Sequence, residues 1–131
     1  MIFGIGTDIV SVERISLSLE KQGERFARRI LTDDEYHTFC KSKHPAHFLA
    51  KRYAAKEAAA KAFGTGFSKG LSLQHISVIN DDAGCPQLVF NNVAADYCRD
   101  KGINQYHLSL SDETAYAIAF VTLACEPGKP S

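Results

Sequence analysis

Three residues in this 131-residue chain have types and positions that could work together chemically: Asp8, Glu57 and Lys61. Glu57 and Lys61 stand four apart, so on a helix they share a face with Tyr53 and Gly64. Such a pair is in the first place an ordinary exposed ion pair, worth about 0.2–0.5 kcal/mol. It could also divide a task, the carboxylate holding a metal and the ammonium holding phosphate oxygens. Asp8 follows a strand that carries Gly4 and Gly6, and taken alone it reads as a turn or cap residue. Brought next to Glu57, it completes a two-carboxylate arrangement of the kind Mg²⁺ uses, since that ion prefers oxygen ligands, keeps several waters and is finished by substrate phosphates.

Charge supports a phosphate site without requiring one. Residues 41–69 hold seven Lys/Arg and one acid, Glu57, so this stretch is +6 and the remainder of the neutral chain is −6. A solvated helix face and an electrostatic site for a phosphate-bearing ligand both fit. A rival reading is a non-catalytic phosphate- or nucleic-acid-binding module, which would bind nucleic acid with a steep salt dependence. The neutral total and the scarcity of exposed-aromatic signals count against nucleic acid as a partner. His107 falls on the polar face of an alternating segment, where a hydrogen-bonding role outweighs that of ligand or base.

The elements that must position these residues follow from pattern. Ile2–Val10 mixes β-branched residues with two glycines, which suits a strand with a bulge or a close backbone approach. Ser11 is placed to cap a helix carrying Val12, Ile15 and Leu19, with Arg14 in its first turns, until Gly23 interrupts it. Thr32-Asp33-Asp34-Glu35 has the form of a capping box and starts a second helix through Lys43. From Ala46 to Gly64 the residues favour helix throughout, and seven alanines between Ala50 and Ala62 leave room for a close neighbour. Beyond Gly70 the pattern becomes strand-like, with a hairpin of 75–79 and 88–90 around a turn at 80–86. Asn92 then caps a short helix through Lys101, stopped by Gly102. A strand at 106–111 has Leu108 and Leu110 on one face, and Asp112-Glu113 turns into a last strand over 115–124.

The expected fold is a single α+β domain over residues 1–125, with antiparallel strands packed against the alanine-rich helix and a flexible tail at 126–131. The apolar stretch between Glu113 and Glu126 falls short of a membrane span, and Met1-Ile2-Phe3-Gly4 lacks a basic leader. With four scattered cysteines, which suit free thiols, the expectation is a cytoplasmic protein with no membrane partner.

In order along the chain, Gly6-Thr7-Asp8-Ile9-Val10 with Arg14, the stretch from Arg52 to Gly64 around Lys56-Glu57-Ala58, then Gly84-Cys85-Pro86, then His107-Leu108-Ser109-Leu110-Ser111 are the motifs that matter. Together they closely resemble the holo-acyl-carrier-protein synthases, the small bacterial 4′-phosphopantetheinyl transferases, over Ile2 to about Ala124. The resemblance implies transfer of the 4′-phosphopantetheine arm of coenzyme A to a serine of apo acyl carrier protein, releasing adenosine 3′,5′-bisphosphate, in fatty acid biosynthesis. It implies that Asp8 and Glu57 bind Mg²⁺ on the coenzyme A pyrophosphate and that Lys61 lies beside the phosphates, these three forming the catalytic set. Gly64, Pro86 and His107 join Lys61 in binding coenzyme A, Arg14 faces the acidic carrier, and the assembly is a homotrimer with sites between subunits. The proton acceptor stays open among Glu57, Asp8 through the metal, and a metal-bound water. At Asp112 the chain departs from the resemblance, since many members carry histidine there, and no catalytic role is assigned to it.

Overall fold

The alanine-rich run forms helix α4, Pro45–Phe63, in a computed structural model that describes residues 1–128. It starts one residue before the expected Ala46, because a proline in the first turn loses only an N–H that has no intrahelical partner anyway. Gly64 closes the helix in the left-handed region, at φ 84°, with its N–H donating to the Lys61 carbonyl at 2.9 Å. All seven alanines are buried, so α4 is an axis enclosed by other elements on most sides, with Tyr53, Glu57 and Lys61 along its accessible face.

Strand β1 (Ile2–Ser11) lies directly on that axis. A Cβ on Gly4 would overlap the Ala62 carbonyl, and one on Gly6 would overlap the Ala58 carbonyl and the Ala62 amide. The glycines and the alanines therefore act as a pair, each removing the side-chain bulk that would hold the two backbones apart. Pairing of β1 slips between Ile2 and Gly4, so the N-terminal strand has both the irregularity and the close approach that its glycines suggest.

The main sheet is antiparallel in the order β1-β5-β4, with β4 at Gln105–Asp112 and β5 at Tyr116–Ala124. Ala117, Ala119, Val121 and Leu123 of β5 are buried on the α4 side, while Tyr116, Ile118 and Phe120 alternate onto the open side. Strands β2 (Ile76–Asn80) and β3 (Pro86–Phe90) form a separate hairpin, pairing buried Val78 with buried Leu88. His75 belongs to a single 3₁₀ turn, Leu73–His75, and not to the strand expected to contain it.

The N-terminal helices differ most from expectation. Ser11 caps α1 (Val12–Gln22) through the Arg14 amide, and Gly23 ends it, but Gly23 also precedes a new helix, α2, at Glu24–Ile30. Seven residues are too few to establish a period, and only the placement of Glu24 at one end and Arg28 and Arg29 at the other marks it. The Thr32 capping box opens α3, which runs Asp33–Cys40 and stops short of Lys43 because the Lys41 and Ser42 amides turn back onto the Thr38 and Phe39 carbonyls. Helix α5 spans Asn92–Lys101, with Asn91 rather than Asn92 at its N-cap and Gly102 as its stop. In the segment after Ala124, Glu126 exchanges hydrogen bonds with Asn104, while residues 129–131 of the expected flexible tail lie outside the described residues. No helix among the described residues is long and apolar enough to cross a membrane.

Candidate active site

Because β1 rests on α4, Asp8 comes down beside the last turns of the helix. Lys61 Nζ lies 3.0 Å from Asp8 Oδ1 and donates to the Thr7 carbonyl at 3.0 Å. The sequence spacing suggested an ion pair within the helix to Glu57, but the partner is across the fold. One turn back, Glu57 is half-buried, and a further turn back Tyr53, also half-buried, lines the same cleft. Burial pushes the Tyr53 phenol above its ordinary pKa, and the negative charges of Glu57 and Asp8 push it the same way while Arg14 opposes them. Both carboxylates and the arginine thus act on one ring. Tyr53 enters the site although its sequence position signalled only a shared helix face.

Asp8, Arg14, Tyr53 and Glu57 line one cleft of about 440 Å³, and Lys61 stands outside that lining, paired to Asp8. Its floor is Tyr53 and Glu57 of α4, one side carries Asp8 and Arg14, and the other is built by Phe26, Arg29 and Ile30 of α2 with Leu73 of the 3₁₀ turn. A wall therefore comes from the helix that the pattern did not reveal. The donor set suits Mg²⁺: two carboxylates face a common space, and among the described residues no group of three or more His, Cys, Asp or Glu gathers as a self-sufficient cage. That leaves coordination positions for waters and for oxygens brought by a substrate.

Gly64, Pro86 and His107 do not line this cleft. Gly64 ends α4, Pro86 begins β3, and His107 is exposed on β4 opposite Thr122. Asp112 borders a separate, shallower basin of about 590 Å³ with Ser42, His44, His47 and Lys51.

The basic stretch is less basic at the surface than its count suggests. Arg52 and Lys56 are both buried on the side of α4 that packs on α3 and β2. Lys56, fully buried, donates to Glu35 Oε1 at 2.6 Å, the Ile30 carbonyl at 2.7 Å and the Leu73 carbonyl at 3.1 Å. Glu35 also accepts from the Thr32 and Val78 amides, so the acid of the capping box doubles as the counter-ion of the core. Arg52 Nε sits 3.7 Å from the same carboxylate and lacks a hydrogen-bond partner among the described residues. Burial lowers the pKa of both cations, and Glu35 opposes that shift.

Comparison with known proteins places this geometry. The family model of the 4′-phosphopantetheinyl transferase superfamily matches residues 4–121. The holo-[acyl-carrier-protein] synthase of Nitrosospira multiformis is 54% identical over 123 residues, covering 94% of this chain and 98% of the relative. The crystal structure of the Neisseria meningitidis holo-[acyl-carrier-protein] synthase superposes with a TM-score of 0.90 at 43% identity, covering 95% of this chain and 99% of that one. That of a Bacillus anthracis holo-(acyl-carrier-protein) synthase in complex with CoA (3′,5′-ADP) gives 0.81 at 38% identity, covering 96% and 99%. With the match spanning β1 to β5 and including the whole cleft, this chain belongs to the 4′-phosphopantetheinyl transferase superfamily.

Proposed function

We propose that this protein is a holo-[acyl-carrier-protein] synthase, transferring 4′-phosphopantetheine from coenzyme A to a serine of apo acyl carrier protein and releasing adenosine 3′,5′-bisphosphate. The observation that carries the reading is that Asp8 and Glu57, distant in sequence, line one cleft that Arg14 borders, with Lys61 held against Asp8 beside it. In the reaction, the serine oxygen bonds to the phosphorus that bears the pantetheine arm, and the bond from that phosphorus to the bridging oxygen of the nucleotide breaks.

Asp8 and Glu57 would hold Mg²⁺, which when bound neutralises pyrophosphate oxygens. The chain's own groups do the rest. Lys61 presents a compact ammonium on a flexible, half-exposed stem, able to turn from Asp8 to a phosphate oxygen and to offset charge that grows on the leaving group. The serine proton needs an acceptor in the cleft, where Glu57 and Asp8 are the two carboxylates. Arg14 offers its guanidinium to the acidic carrier at the rim.

The working unit in this reading is a homotrimer with sites between subunits. The open face of the main sheet supports it: Ile5 and Ile9 of β1 and Tyr116, Ile118 and Phe120 of β5 are 41–59% exposed as one apolar surface, larger than isolated surface hydrophobics make. Shared sites would also allow Gly64, Pro86 and His107 to contact coenzyme A although they lie off the cleft. Free thiols at Cys40, Cys85, Cys98 and Cys125 accord with a cytoplasmic location. The deciding experiment is mass spectrometry of apo carrier incubated with this protein, coenzyme A and Mg²⁺. A carrier heavier by one phosphopantetheine is expected, and an unmodified carrier would overturn the assignment.

A further inference from the structure

Lys56 is next to Glu57 in the chain, but the helix turns about 100° between them, so the two side chains serve different spaces. Glu57 faces the cleft, whereas Lys56 is fully buried behind it. Two of the three oxygens that Lys56 grips are main-chain carbonyls of Ile30 and Leu73, and both residues line the cleft wall opposite Asp8. Ile30 is the last residue of α2, whose terminal carbonyls have no partners within the helix. Gln74 supplies them from outside: its Nε2 donates to the Arg28 carbonyl at 2.7 Å, the Leu31 carbonyl at 2.7 Å and, more weakly, the Arg29 carbonyl at 3.3 Å. The wall is thus a seven-residue helix and a single 3₁₀ turn, tied to each other by Gln74 and to α4 by Lys56.

We propose that Lys56 and Gln74 are positioning residues, a polar brace that sets the distance between the α2 wall and Glu57 and so holds the cleft open to the width the carrier's serine segment requires. The proposal rests on the transferase reading for the identity of what enters the cleft. An ammonium is well suited to the inner position, because three donors on one atom can join α2, the 3₁₀ turn and α3 at once, with Glu35 neutralising the charge. Gln74 holds the outer position without burying a charge. Since ordering a loosened wall around the entering segment costs binding free energy, a wall that drifts should be read in the carrier's KM before it is read in the fold.

Gln74→Ala and Lys56→Met are the two variants. Gln74 is exposed, so its alanine variant is expected to fold with a thermal midpoint near wild type. Its KM for the carrier should rise about tenfold, with KM for coenzyme A unchanged. Lys56→Met should show the same split more strongly, and if it fails to fold, Gln74→Ala decides alone. Amide hydrogen exchange on the chain without substrates supplies a second readout, with faster exchange expected over residues 26–31 and 71–75 while α4 stays protected. A wild-type protein that makes no holo carrier would remove the transferase reading, and the exchange experiment would still test the brace. A Gln74→Ala variant with wild-type KM for the carrier, or with unchanged exchange over the two segments, would overturn the proposal. A loss of kcat alone, with both KM values intact, would mark a merely structural role and overturn it too.

Discussion

Lys61 Nζ stands 3.0 Å from Asp8 Oδ1, across the contact between β1 and α4, and not against Glu57 one turn away on its own helix. A cation and an anion that both belong to the proposed phosphate and metal site are therefore already paired before any ligand arrives. At 53% and 18% side-chain exposure this is a wet ion pair, worth about 0–1 kcal/mol, so exchanging it for a phosphate and a metal costs little.

Asp8→Asn and Glu57→Gln are each expected to lower turnover by about a hundredfold or more, since each removes an anionic group aimed at the reacting centre. Thermal midpoints should barely move. Steady-state rates over a Mg²⁺ titration check this, and full activity at limiting Mg²⁺ in either variant would put the metal elsewhere.

Lys61→Ala should weaken coenzyme A binding and slow transfer more than Lys61→Arg does. Alanine has the higher helix propensity, so unwinding of α4 cannot account for the loss. If only the pairing with Asp8 mattered, stability would fall by at most about 1 kcal/mol and kcat/KM for coenzyme A would stay at the wild-type value. A coenzyme A titration separates the two.

Arg14→Ala should act mainly on KM for the carrier, and raising ionic strength should weaken carrier binding to the wild type in the same direction. A rise in KM for coenzyme A with an unaltered carrier KM would reassign Arg14 to the nucleotide.

Replacing Phe120 or Ile118 by Asp puts a charge in the middle of the open sheet face without touching the buried side of β5. Light scattering after size exclusion is expected to report monomers for the variant and trimers for the wild type. A wild-type monomer, or an undisturbed trimer in both variants, would move the subunit contact to another surface.

Cys98 gives a pH prediction. Burial raises its thiol from 9.0 to about 11, with the Tyr106 side chain opposing the shift. Because the folded pKa lies above the unfolded one, the stability this contributes is complete below pH 9 and is lost as pH climbs toward 11. Denaturant melts across that range in wild type and Cys98→Ala should converge at high pH. At neutral pH, thiol reagents should label exposed Cys40 and Cys85 and spare Cys98.

Much of the fold was legible in residues whose requirements are local. Propensity and caps marked α4, the Thr32 box, the hairpin and the alternation of β4, and the glycines of β1 and the alanines of α4 each left room for a close neighbour without naming it. Asp8, Glu57 and Lys61 stood out by type and by likeness to a family. Tertiary structure alone decided three things. Helix α2 is held by burial of Ala27 and Ile30 and by the outside grip of Gln74, and seven residues cannot encode a period. Lys61 chose Asp8 because the β1 backbone sits where only glycine admits it, a distance no spacing along one helix can express. Two charges of the basic stretch turned inward, since Glu35, brought from another helix, made their burial affordable. Side chains on one chain segment announce their chemistry. Which of them meet is set by contacts between segments, and these are long-range properties of the folded backbone.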